Sequence, residues 1–218
     1  MLRTALILIA ATALATRAHA QSAPPLRTVT TDAAGIAKAS ADSARYPYVE
    51  ADVRFMTGMV GHHAQAIKMA VMAPNHGASQ AIQTLAGRVI NAQGDEIVLM
   101  QQWLVDRRRP MPDANTMGMK MVMDGKEHIM PMPGMLIREQ MAQLDAARGA
   151  DFDRLFLTFM IQHHRGALTM VKELFASYGA GTDLTVFKFA SDANVDQTTE
   201  IARMQRMLDA LPGVKSAK

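Results

Sequence analysis

Two segments of this chain lie 101 residues apart and repeat each other. "DVRFMTGMVGHHAQAIKMA" from Asp52 aligns with "DRLFLTFMIQHHRGALTMV" from Asp153, with eight identities in nineteen columns, among them two Met and both His. A second pair follows at a shift of 104: "QGDEIVLMQQWL" from Gln93 and "QTTEIARMQRML" from Gln197 share Q-x-x-E-I-x-x-M-x-x-x-L. The first pattern is helical, with Phe55, Met56, Met59, His62, His63, Ala66, Met69 and Ala70 on one stripe at about 100° per residue. A chain that writes one helical hairpin twice has two equivalent apolar stripes to bury, and burying them against each other gives an antiparallel four-helix bundle.

The breakers agree with four long helices. The first runs from about Val49 to Ala73, stopped by Pro74, Asn75 and Gly77. The second runs from about Ala78 to Asp106 and ends at "RRRPMPD", whose cations suit a helix C-terminus. The third is expected to be capped by Asp151 or Asp153 and to reach Tyr178. The fourth starts at Thr182 or Asp183 and reaches Leu211. A short helix is expected over about 136–147. The fold class is therefore all-α: hairpin one over 47–107, a long Met-rich connection over 108–136, hairpin two over 137–211, and a tail over 212–218. Within the connection, "MKMVMDGKEHIM" alternates around Asp124-Gly125, a β-hairpin signal. Residues 21–46, rich in Ala, Ser and Thr, read as a flexible N-terminal arm.

Residues 1–20 read as a signal peptide: Arg3, an apolar run from Ala5 to Ala15, and Ala18-His19-Ala20 as a small-x-small cleavage site, with cleavage after Ala20. A periplasmic or secreted location follows, without membrane insertion. Removing Arg3 and Arg17 from 23 basic residues leaves 21 against 20 acidic ones. That near-neutral balance, without a basic run interleaved with aromatics, argues against a nucleic-acid partner. The chain has no cysteine, so neither a disulfide nor a thiolate ligand is available. It has 19 methionines, far above ordinary usage.

Methionine on an amphipathic helix ordinarily fills core, and a single buried histidine ordinarily has a structural partner. A tandem histidine pair that recurs with the same flanking methionines is harder to read so. On a helical wheel centred on Met59, His62 lies about 60° to one side and His63 about 40° to the other. Met59, His62 and Met69 form a ligand row, mirrored by Met160, His163 and Met170. His62 and His163 are the first choices to face a metal, with His63 and His164 serving a neighbouring site or the packing between hairpins. Met56 is a weaker candidate, because its repeat position is Leu157. In the connection, Met117, Met119, Met121 and Met123 alternate, followed by His128, Met130, Met132 and Met135. Glu96 and Glu200 read as ion-pairing residues, His76 as a turn residue, and Met100 and Met204 as core.

Ligand chemistry selects the metal. Di-iron bundles use Glu-x-x-His, which occurs nowhere in this chain. Thioether with imidazole suits Cu(I) and, by the same softness, Ag(I); imidazole also admits Cu(II). Copper is thus the expected ligand, bound for tolerance, storage or delivery. No catalytic constellation is visible, so an enzyme is not expected. Two alternatives stay open: a metal-dependent oxidoreductase, and a metal-free structural or partner-binding helical module.

The segments "FMTGMVGHHAQAIKMA", "QGDEIVLMQQWL", "MPGML" and "ADFDRLFLTFMIQHHRGALTM" resemble the domain-of-unknown-function family number three-oh-five, over about Tyr46 to Leu211. The resemblance implies a ferritin-like bundle and copper binding of the kind found in its CopM-type periplasmic members. It carries over His62, His63, His163, His164, Met59 and Met160. Partners that such a protein would meet are copper ions, a periplasmic copper exporter or oxidase, and a second copy of itself.

Overall fold

The computed structural model describes residues 29–30, 32–112, 119–124, 126–130 and 132–212. The expected signal peptide, residues 21–28 and 31 of the N-terminal arm, Met117 and the tail beyond Pro212 lie outside the described residues. Among those residues the chain forms six α-helices: α1 Ala33–Arg45, α2 Glu50–Ala70, α3 Gln80–Asp106, α4 Arg138–Ala146, α5 Gly149–Ala176 and α6 Leu184–Asp209. A 3-10 turn, Ala73–His76, links α2 to α3. Strands β1 Met119–Met123 and β2 Lys126–Met130 form an antiparallel ribbon in the connection. None of the described helices is long and apolar enough to cross a membrane.

Three of the four long helices begin at a short polar side chain that pairs with a backbone N–H at the helix start, while α5 starts at Gly149 without one. Asp52 accepts from Val49 N at 2.8 Å at the start of α2. Ser79 caps α3, and Asp183 caps α6 by accepting from Thr185 N and Val186 N. Pro74 and then Gly77, at φ 66°, turn the chain between α2 and α3. The two hairpins also cap each other. Asp52, at the start of α2, accepts from Gly181 N before α6 at 2.7 Å. Asp153, its repeat equivalent, accepts from Ser79 N before α3 at 3.1 Å. Asp151 or Asp153 was expected to cap the third long helix; α5 instead starts earlier, at Gly149, which frees the Asp153 carboxylate to reach the other hairpin.

α2 packs along α3, α5 packs along α6, and α2 meets α5. Two apolar clusters result. One holds Phe55, Met56, Met59 and Val60 of α2 with Ala167, Met170 and Leu174 of α5. The other holds Ala66 and Met69 of α2 with Phe156, Leu157 and Met160 of α5. The tandem histidines fall between the two clusters on both helices. Met100 and Met204 are fully buried core, one in each cluster.

The arm differs from expectation. Residues 33–45 form α1, capped by Asp32 accepting from Gly35 N, with Ala39 buried against the bundle beside α3. Alanine composition suits a linker and a helix equally, and the capping aspartate decides for the helix.

A charged knot joins the α3 C-terminus to the α6 N-terminus. Asp183 takes the Arg107 guanidinium at 2.6 Å and the Trp103 indole N–H at 3.1 Å, and Arg107 lies over the Trp103 ring. Both partners are almost fully buried. Asp183→Ala strands a buried cation and removes a cap, so it should destabilise the fold by roughly 3–5 kcal/mol in urea unfolding. Asp183→Asn, which keeps a cap oxygen, should fall between. A loss below about 1 kcal/mol for the alanine variant would contradict this account of the knot.

Candidate metal centre

His62 on α2 and His163 on α5 meet where the two hairpins join. Their ring centroids are 3.8 Å apart with a 38° tilt, and each residue is 1% exposed. His62 Nε2 lies 3.0 Å from the Pro133 carbonyl oxygen. A carbonyl only accepts, so His62 carries its proton on Nε2 and presents the lone pair of Nδ1. His163 has no hydrogen-bond partner at either ring nitrogen.

His63 and His164 turn toward the second helix of their own hairpins. His63 Nε2 donates to Glu96 at 2.8 Å and His164 Nε2 to Glu200 at 2.7 Å. Each again leaves Nδ1 buried and unpartnered. A carboxylate or carbonyl that fixes the proton on one ring nitrogen and exposes the other is how proteins prepare imidazole for a metal. The four rings carry five orphaned nitrogens. An orphaned buried polar atom costs about 1–3 kcal/mol. A metal ion is the kind of partner that removes the cost, so the residues fit one.

Burial is the main reason that the His62 and His163 rings stay neutral. It lowers His62 to about 3, aided by the proximity of His63 and His164, and opposed by the Pro133 carbonyl. It lowers His163 well below 6.5, aided by the charges of His62, His164 and His63 and opposed by the nearby His62 backbone. Neutral imidazole is the form that ligates. On the outer side, Asp196 has its carboxyl raised by partial burial, then by Glu96, Asp192 and Glu200, so the glutamates sit in an acidic surface.

The thioethers divide. Met56, Met59 and Met170 are buried in one apolar cluster, joined by Met132 and Met135 from the connection. Met69 and Met160 are buried in the other. The expected row Met59–His62–Met69 is therefore split, and so is Met160–His163–Met170. Ten residues of helix rise about 15 Å, too far for both sulphurs to reach one ion. Across the helix pair the combinations are Met59 with Met170, and Met69 with Met160, one pair on each side of the imidazoles.

The remaining candidates lie apart or in the ribbon. The register sets Met119 opposite Met130, Met121 opposite His128, and Met123 opposite Lys126, which puts these positions on one face. His76 bonds Met72 O through Nδ1 at 2.8 Å and Asp145 through Nε2, a turn role away from the tandem histidines. Among the described residues, no three His, Asp or Glu side chains converge as a metal-holding group. Sequence reasoning took Glu96 and Glu200 as ion-pairing residues without finding their partners. The signal was present, since glutamate and histidine recur with nearly equal shifts.

The family described as "Domain of unknown function (DUF305)" matches residues 52–208. Among solved structures, the chain is similar to a DUF305 protein from Streptomyces coelicolor described as secreted, at 24% identity and a TM-score of 0.62, over 77% of this chain and 98% of that one. A DUF305 fragment from Deinococcus radiodurans is similar at 25% identity and a TM-score of 0.61, over 75% and 99%. CopM in its Cu(II)-bound form is similar at 28% identity and a TM-score of 0.56, over 72% and 95%. CopM has also been solved in Cu(I)-bound and Ag-bound forms, matched at 26% and 27% identity. No curated protein matches the chain.

The buried imidazoles make stability depend on pH. His62 titrates at about 3 in the fold against 6.5 unfolded, so between these values the unfolded chain binds a proton that the native one does not. Stability is therefore lost as pH falls through 6.5 toward 3. From pH 7.5 to 5, the metal-free protein should lose about 2 kcal/mol through His62 in urea unfolding, with a further loss of the same sign through His163. His62→Gln with His163→Gln should flatten that slope, and an unchanged slope in the double variant would count against neutral buried rings.

Proposed function

Because the chain belongs to the DUF305 family, we propose that it is an exported copper-binding protein that holds Cu(I), and also Ag(I) or Cu(II), through histidine and methionine. Its role is to store or deliver copper and so to confer tolerance, without turning over a substrate. The observation that carries this reading is the His62–His163 pair, buried at 3.8 Å with three of its four ring nitrogens unpartnered. Thioethers pack on both sides of it. Imidazole with thioether is a donor set for a soft monovalent ion. The Cu- and Ag-bound forms of CopM support the same choice.

The same geometry supports a finer assignment. The metal-facing rings are His62 and His163, with sulphur from Met59 and Met170 on one side or Met69 and Met160 on the other. His63 and His164 hold second positions, anchored by Glu96 and Glu200. The ribbon methionines and His128 would offer a further soft surface, and copper would pass to or from a periplasmic exporter or oxidase. The four long helices read as a ferritin-like bundle made from a duplicated hairpin, with the reciprocal Asp52 and Asp153 caps in support.

A competition titration of the mature protein with Cu(I), and separately with Ag(I), tests the reading. Tight binding is expected, with a melting temperature that rises with the ion, since a ligand of the native state stabilises it. His62→Ala with His163→Ala should weaken affinity at least about a hundredfold, or ~2.8 kcal/mol. Affinity no better than a weak chelator, or unchanged in the double variant, would overturn the proposal.

A further inference from the structure

The two copies of the repeat frame their histidines differently. In α2 the order is Gly61-His62-His63-Ala64-Gln65, and in α5 it is Gln162-His163-His164-Arg165-Gly166. Glycine and glutamine have exchanged ends. The segment Met132–Leu136 gives the exchange a physical reason, because one strap of chain crosses a nearly symmetric helix pair and must treat the two helices differently.

On α5 the strap needs space. A Cβ at Gly166 would stand 1.9 Å from the Pro133 carbonyl oxygen, so no residue with a side chain fits there. Gly134, at φ +74°, also has no room for a side chain, since a Cβ there would stand 2.6 Å from Gln162 O and 2.7 Å from Gly166 Cα. On α2 the strap needs a grip. Gln65 Nε2 donates to Leu136 O at 3.0 Å, and Gln65 Oε1 accepts from Leu136 N at 2.7 Å. Both groups of one strap residue are thus held by one buried amide. Gln162 adds a longer bond to Gly134 O at 3.3 Å. In this position Pro133 O reaches His62 Nε2, and Met132 and Met135 are buried in the cluster that holds Met59 and Met170.

We propose that Gln65 is a positioning residue of the metal centre: it locks the Met132–Leu136 strap over the histidine pair and thereby sets how slowly a bound soft ion leaves. The inference rests on the copper reading above. With the strap in place, the ion is covered, His62 keeps its metal-ready tautomer, and two further thioethers stand beside it. With the strap loose, His62 Nε2 loses its acceptor and the site opens on that side. Affinity changes of this kind appear mainly in the dissociation rate.

The test uses the full mature chain loaded with Ag(I), with transfer to excess competing chelator read by stopped flow. Gln65→Leu removes both bonds, whereas Gln65→Glu keeps the acceptor for Leu136 N. Release should be at least about tenfold faster for the leucine variant, with the glutamate variant between. In the metal-free protein, the exchange-protected His62 Nε2 proton seen by NMR should be lost with leucine and weakened with glutamate. Val186→Ala, a core truncation in α6, should lower the melting temperature while leaving both readouts in place. Were Gln65→Leu not to fold, Gln65→Glu would carry the test alone. Release within twofold of the parent in the folded variants, with the His62 proton retained, would overturn the role of Gln65. Absence of tight Ag(I) binding in the parent would overturn the copper reading instead.

Discussion

Two neutral imidazole rings stacked between α2 and α5 set the terms for everything around them. His62 and His163 are 1% exposed, and three of their four ring nitrogens have no partner. Such groups weaken a fold by about 1–3 kcal/mol each. The surrounding structure offsets that cost on three sides. Apolar clusters close above and below, reciprocal aspartate caps fix one hairpin against the other, and the Pro133 carbonyl satisfies the fourth nitrogen. A protein that needed only a stable bundle would place leucine at these two positions. On the proposed function, their polarity serves an ion that takes lone pairs.

The site is layered by hardness. At the join of the hairpins, unpartnered imidazole nitrogens lie between thioethers, a set that favours a soft ion. About 100° round each helix, His63 and His164 lean on Glu96 and Glu200, whose oxygens reach toward an acidic surface. The glutamates pair with the histidines as carboxylates do behind metal-ligating histidines in metal proteins: they fix the tautomer and leave Nδ1 bare. Near-symmetry runs through both layers and breaks at the strap, where Gly166 yields space and Gln65 supplies a grip.

Much of this could be read in the sequence because the repeat supplied it twice. Helical period located the long helices, and the tandem histidines marked the join. Rise along a helix was the physics that the ligand rows left out: Met59 and Met69 share a stripe but not a site. Residues 33–45 were taken for a linker because alanine is ambiguous until Asp32 is recognised as a cap. The glycine–glutamine exchange stands in plain view in the aligned repeats. Its meaning depended on a third segment crossing the helix pair, which no periodicity in either repeat announces. The partners of Glu96 and Glu200 required knowing which way each histidine turns, and a wheel gives that only to within a side-chain rotamer.

The central claim is that a soft ion sits between the two hairpins on His62 and His163, with sulphur supplied across the helix pair. A crystal of the mature protein soaked in Ag(I) and read by anomalous scattering tests it most directly. The account predicts a peak within bonding distance of a ring nitrogen of His62 or His163 and of at least one of Met59, Met170, Met69 or Met160. Peaks confined to the ribbon or the surface, with the stacked imidazoles undisturbed, would contradict it.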